Sequence, residues 1–93
     1  MHKVEIEYCA RCRWLTRAAW MAQELLSTFS EELNAVTLMP AKIGGLFEIR
    51  HNHKTIWSRE KQKRFPEISE LKQLLRDEIA PEKSLGHVDK TAD

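Results

Sequence analysis

The sequence predicts an α/β fold of two layers (α+β), a four-stranded mixed sheet with both helices on one face, in the order β-α-β-β-β-α. Three observations carry that expectation. Residues 3–8 alternate strictly, with Val4, Ile6 and Tyr8 on one side and Lys3, Glu5 and Glu7 on the other, the pattern of a strand buried on one face. Two later stretches repeat apolar residues at helical spacing. Three further β-rich runs, at 35–39, 46–50 and 55–58, supply the remaining strands. An amphipathic strand needs one face covered, and two amphipathic helices can cover it. Ninety-three residues make one domain, with a core too thin for a third layer.

The first helix is expected directly after Cys12. Trp14, Leu15, Ala18, Met21, Ala22, Leu25, Leu26 and Phe29 fall on one side of a helical wheel, and Thr16, Arg17, Gln23, Glu24 and Ser27 on the other. That helix should end near residues 28–33. Residues 35–39 read as a second strand stopped by Pro40, parallel to the first when the helix is a crossover. The loop 40–45 holds Gly44 and Gly45. Residues 46–50 and 55–58 flank His51-Asn52-His53-Lys54, a hairpin with a polar turn. Residues 59–64 read as a solvated basic loop, and Pro66 as the first turn of the last helix. There Ile68, Leu71, Leu74, Leu75 and Ile79 recur at helical spacing ahead of Pro81. The domain is thus placed at residues 1–80. Residues 81–93 have little to bury and read as a flexible C-terminal tail.

Fifteen Lys and Arg against fourteen Asp and Glu leave a net charge of +1. No global attraction to nucleic acid or to a membrane surface follows from that balance. No apolar stretch approaches the ~20 residues of a membrane span, and carboxylates stand where a signal peptide would carry its apolar segment. A cytoplasmic location is the expectation. In a reducing compartment two cysteines spaced by two residues read as redox groups or metal ligands before they read as a structural staple.

Cys9 and Cys12 are the only cysteines, and they stand where the first strand gives way to the helical pattern. The unpaired N–H groups and the dipole at a helix N-terminus favour an anion, so a thiolate is stabilised there. A free thiol with a pKa of ~8.5 is mostly protonated at neutral pH; Arg11 and Arg13 are further candidates for lowering it. Cys9 and Cys12 are therefore the candidate catalytic pair, cycling between dithiol and disulfide, with the attacking sulfur unassigned. A structural or inert pair is the plain alternative. Zinc is the sharper rival, since Cys9, Cys12, His51 and His53 could be four ligands. Yet His51-x-His53 lacks the usual H-x3–5-H spacing, and there is no second CxxC. Neither a metal nor a bound cofactor is expected.

Gly44 and Gly45 are expected near the sulfurs, where a missing Cβ admits an extended substrate backbone; a plain flexible turn is the alternative. Trp14 is close enough in sequence to shield Cys12. Phe65 either walls the site or plugs the entry to the last helix. Trp20 projects from the polar side of its helix, which points to a contact with a second copy of the chain or with a redox partner. Arg59, Lys61, Lys63 and Arg64 form a basic run, either a solvated face or a steering element for an anionic partner such as glutathione.

Four segments in fixed order carry a resemblance: Tyr8-Cys9-Ala10-Arg11-Cys12, then Gly44-Gly45-Leu46-Phe47-Glu48-Ile49, then Ile56-Trp57-Ser58-Arg59, then Arg64-Phe65-Pro66-Glu67. Together they resemble the selenoprotein W/T/H (Rdx) family of thioredoxin-like proteins, over nearly all of residues 3–80. The resemblance implies a thioredoxin-like fold and thiol redox chemistry, with glutathione or protein thiols as partners. It implies a cysteine-containing bacterial-type member, because family members often carry selenocysteine at the position of Cys12. Ordinary thioredoxins differ in placing a proline before the strand at 46–50, where Gly44-Gly45 stands here, and a Trp where Tyr8 precedes the motif. The rival reading is a non-catalytic thioredoxin-like interaction module that binds a protein, or a second copy, through the first helix.

Overall fold

In a computed structural model that describes residues 1–86, β1 (Lys3–Cys9) is paired along both edges. It runs parallel to β2 (Ala35–Ala41) and antiparallel to β3 (Phe47–His51), and β3 continues antiparallel to β4 (Lys54–Ser58). The sheet order is β2-β1-β3-β4, the four-stranded mixed sheet expected. α1 (Leu15–Thr28) crosses from β1 to β2, and a one-turn α2 (Arg59–Gln62) and α3 (Ile68–Ile79) close the domain.

The alternation in β1 sorts the two faces. Val4, Ile6 and Tyr8 are buried in one cluster with Ala18, Met21 and Leu25 of α1, Phe47 and Ile49 of β3, Trp57 of β4, and Leu71 and Leu75 of α3. Both long helices therefore cover the same face, and each fully buried Leu, Ile or Phe contributes about 1.5–3 kcal/mol. The other face is polar. Arg50 of β3 reaches Glu5 and Glu7 of β1, each at 3.1 Å, and Glu48 at 3.5 Å. Burial works against the charge on Arg50, but the bonds from Glu5 and Glu7 outweigh it and raise the guanidinium pKa further.

Several boundaries differ from the expectation, each for a local reason. β2 runs through Pro40 and ends at Ala41. It is an edge strand, where the missing N–H faces no partner. α1 starts at Leu15, because Arg13 adopts a left-handed conformation (φ 61°) that a helix cannot contain. The basic segment is not a plain loop: Ser58 Oγ accepts from the Lys61 amide at 3.4 Å and caps α2, which ends on left-handed Lys63. Pro66 stands before α3 and not in its first turn, since Glu67 and Glu70 form a reciprocal capping box that starts the helix at Ile68. The hairpin turn is shorter than expected. Asn52 and His53 alone lie between the strands, both at positive φ, as a two-residue type I′ turn requires.

Of the segment expected to be a flexible tail, Lys83 and Leu85 make contacts. Lys83 pairs with Glu32 at 3.2 Å and its carbonyl accepts from Arg76 at 2.8 Å, while Leu85 packs on the core. Residues 87–93 lie outside the described ones.

Candidate active site

Cys9 is the last residue of β1 and Cys12 lies in the turn that follows, so one sulfur belongs to the sheet and the other to a loop. The two are joined as a disulfide, with their Cα atoms 5.3 Å apart. Cys9 is completely buried, whereas Cys12 is partly exposed. The Cys9 amide donates to the Leu46 carbonyl at 2.7 Å, and the Ala10 amide to the Ala41 carbonyl at 3.3 Å. Those two bonds tie the end of β1 and the residue after it to the last residue of β2 and to the loop that follows. The turn itself is closed by Arg13 N–H donating to Ala10 O at 3.0 Å, and Cys12 N–H donates to Cys9 Sγ at 3.2 Å.

The expected helix lever is displaced. α1 begins three residues after Cys12, and its first turn carries no capping side chain. The donor that reaches a sulfur is the Cys12 amide of the turn, not an amide of the helix. Arg11 and Arg13 are both exposed beside the disulfide.

Behind the turn lies an aromatic cluster. Trp14 packs edge-on against Phe65 at 4.8 Å and Phe47 at 6.3 Å, and Phe47 meets Phe65 at 5.1 Å. Phe65 thus packs against the edge of the core, in contact with Trp14 and Phe47. Two guanidinium groups stack on the cluster: Arg17 lies 4.1 Å from the Phe65 ring centroid, and Arg59 lies 4.9 Å from that of Trp14 and 5.1 Å from that of Phe65. Such contacts hold a cation at a ring face for about 0.5–1 kcal/mol when exposed. Neither arginine stood among the expected site residues as a ring partner. The contacts of Arg17 with Phe65 and of Arg59 with Trp14 join residues distant in sequence, so no spacing signalled them.

Two grooves lie next to residues that touch or follow the cysteine turn, one at Leu46, whose carbonyl accepts from Cys9, and one starting at Arg13. One, of about 550 Å³, is lined by Ile43, Gly44, Gly45 and Leu46 opposite Arg59, Glu60 and Lys63. Gly45 has φ 80°, which favours glycine, and open space surrounds both glycines where a Cβ would project. The other groove, of about 470 Å³, runs over Arg13, Trp14, Thr16, Arg17 and Trp20. Trp20 is 48% exposed, on the outward side of α1 as its position on the wheel indicated. Of the basic run, Arg64 forms a two-pronged pair with Glu70 at 2.9 Å, and its guanidinium also covers Trp57.

The four residues weighed as zinc ligands are not brought together. His51 is paired with Val4, at the opposite end of β1 from Cys9, and there His2 Nδ1 approaches its Nε2 at 2.9 Å. His53 is exposed in the hairpin turn.

The Rdx family model matches residues 3–77. The chain belongs to the Rdx family. Among solved structures, it is similar to a protein from Bordetella parapertussis at 51% identity and a TM-score of 0.80, over 83% of this chain and 96% of that one. It is also similar to a selenoprotein W-related protein from Vibrio cholerae at 50% identity and a TM-score of 0.79, over 82% and 94%. A search of the curated proteins returned no match. The Rdx match covers β1 to β4, the cysteine turn and most of α3, so the cysteine pair lies inside the family's thioredoxin-like frame.

Among the described residues, no helix is long and apolar enough to cross a membrane.

Proposed function

We propose that the chain is a thiol–disulfide redox protein in which Cys9 and Cys12 exchange with a protein thiol or with glutathione. The observation that carries this reading is the asymmetry of the pair, a fully buried Cys9 joined to a Cys12 that reaches the surface. The partial exposure of Cys12 makes it the residue of the pair that an incoming thiolate would attack. As the new S–S bond forms there, the old one breaks and its electron pair leaves on Cys9 Sγ, toward which the Cys12 amide already points. A second thiolate then attacks the partner's sulfur of the mixed disulfide and releases Cys12 as thiolate. Two electrons pass to this chain, and the protons from the two incoming thiols end on Cys9 and Cys12. The reverse sequence reduces a partner disulfide. In a reducing cytoplasm such a pair would cycle between both states.

The test is a redox titration of the purified chain against glutathione buffers, read by mass after thiol alkylation. The expected result is one two-electron transition within the range of cellular thiol couples, abolished in Cys9→Ser and in Cys12→Ser. A potential below about −300 mV would mark a permanent bridge and overturn the exchange reading.

A second reading has its own observation, the exposed Trp20. Under it the α1 face binds a second copy or another protein independently of the cysteines. Size-exclusion of wild type against Trp20→Glu separates the two, because loss of an oligomer with unchanged thiol chemistry would assign binding to Trp20 alone.

A further inference from the structure

The near-neutral charge of the chain hides a strong separation of charge in space. Residues 9–17, 41–47 and 58–66 meet at the disulfide end of the sheet, through the C-terminal ends of β1, β2 and β4 and the start of β3. These segments contain eight of the fifteen Lys and Arg and one of the fourteen acidic residues, Glu60. The +1 of the whole is therefore +7 at that end set against −6 elsewhere. Among the described residues, Arg64 is the only one of these cations with a paired carboxylate from outside the segments, that of Glu70. The carboxylates of β1 and β3 gather instead on the outer face around Arg50.

The two grooves sit inside this cationic end. Arg13 and Arg17 line one, Arg59 and Lys63 the other. Arg59 Nε is buried and has no hydrogen-bond partner among the described residues, although a buried donor of this kind normally has one. Interleaved with the cations are large exposed apolar groups, Trp20 at 48% and Ile43 at 66%. The first groove includes Leu46, whose carbonyl holds the Cys9 amide, the second begins at Arg13 directly after Cys12, and the stacking of Arg59 on Trp14 joins the two. An aromatic, arginine-rich surface of this breadth has the composition of a protein contact.

We infer that the cysteine pair exchanges with a protein whose reactive cysteine is presented on an extended, acidic segment lying across both grooves. The inference rests on the exchange reading above and specifies its substrate class. Acidic side chains meet Arg13 and Arg17 in one groove and Arg59 and Lys63 in the other, while Trp20 and Ile43 cover apolar residues of the same segment. The chemical step is unchanged: the partner thiolate opens the bridge at Cys12, Cys9 leaves as thiolate, and a second partner cysteine resolves the mixed disulfide to give the partner disulfide and the Cys9/Cys12 dithiol.

The test uses the oxidised full chain and four reductants. Two are single-cysteine decapeptides that differ only in glutamates or lysines flanking the cysteine; the others are glutathione and dithiothreitol. Initial rates of bridge opening are compared at equal thiolate concentration, each normalised to the same reductant's rate with a neutral small disulfide. The acidic peptide is expected to react roughly tenfold faster than the basic one at low salt. The ratio should fall toward one at about 0.5 M salt, where charges are screened within a few ångströms. In Arg13→Glu/Lys63→Glu the low-salt ratio should collapse in the same way, and the salt series on wild type answers the question even if that variant folds poorly. A ratio near one at every salt concentration, with normal opening by dithiothreitol, overturns this inference and leaves the exchange reading standing. Glutathione equalling the acidic peptide also overturns it, in favour of a small anionic thiol. A bridge that dithiothreitol leaves closed overturns both.

Discussion

The amide of Cys12 donates to the sulfur of Cys9 across 3.2 Å. A buried sulfur that loses its covalent partner thus finds a hydrogen-bond donor in place, while Cys12 is the partly exposed residue of the two. Reduced protein treated with a limiting amount of iodoacetamide should therefore be modified at Cys12 well before Cys9. Peptide mapping by mass spectrometry reads the order, and equal labelling would remove the distinction between the two sulfurs.

Phe47 joins the site to the core. It is 1% exposed and meets both Trp14 and Phe65. Phe47→Ala should cost about 3–5 kcal/mol in urea unfolding. The indole of Trp14 should also become more exposed, seen as a red shift of emission. A loss under 1 kcal/mol would mean that Trp14 and Phe65 repack without it.

The hairpin end of β1 titrates. Burial first, and then the neighbouring His2, hold His51 below its ordinary pKa; Glu78 opposes them and Lys54 adds to them. A depressed histidine pKa means that the folded state prefers the neutral ring. Its contribution is present above the unfolded value of ~6.5 and is lost as pH falls toward the folded one. The urea midpoint should drop between pH 7.5 and 5.5, and His51→Gln should flatten that drop. An unchanged slope in the variant would assign it elsewhere.

At the start of α3 the bond from Arg64, aided by the Glu67 amide, holds the Glu70 carboxyl below the usual carboxylate range. The stabilisation is present above the ordinary value of ~4.3 and fades as pH falls through the lower folded one. Glu70→Ala removes the fork and half of the capping box, at a cost of about 1 kcal/mol at neutral pH. Thermal unfolding at pH 7 and pH 3 checks it, with wild type and variant converging at the lower pH.

The strands, the two long helices and the place of the cysteine pair were legible because each depends on short-range pattern. The alternation of Val4, Ile6 and Tyr8 has one geometric meaning, and so does the spacing from Leu71 to Leu75. The exposure of each sulfur was not legible. Continued alternation would set Cys9 on the polar face with Glu7, but the turn at 10–13 and the loop at 41–46 close around it through the bonds to Ala41 and Leu46. The late start of α1 hinges on one dihedral, that of Arg13, which a non-glycine residue adopts only when its surroundings impose it. Pro40 misled for the opposite reason: proline ends a strand only when a neighbour needs its N–H, and an edge is invisible until the sheet order is known. Charge summed over the chain likewise concealed what the topology gathers at one end.

Cys9 is fixed by a strand hydrogen-bonded on both sides, while Cys12 rides on a turn held by few bonds. Opening the bridge releases the second without loosening the first. The stiffness of residues 10–14 is thus expected to follow the oxidation state of the pair, with the β1 ladder at Cys9 unchanged, as amide hydrogen exchange of the two forms would read. A partner that senses this loop can tell which form it has met before any bond is exchanged.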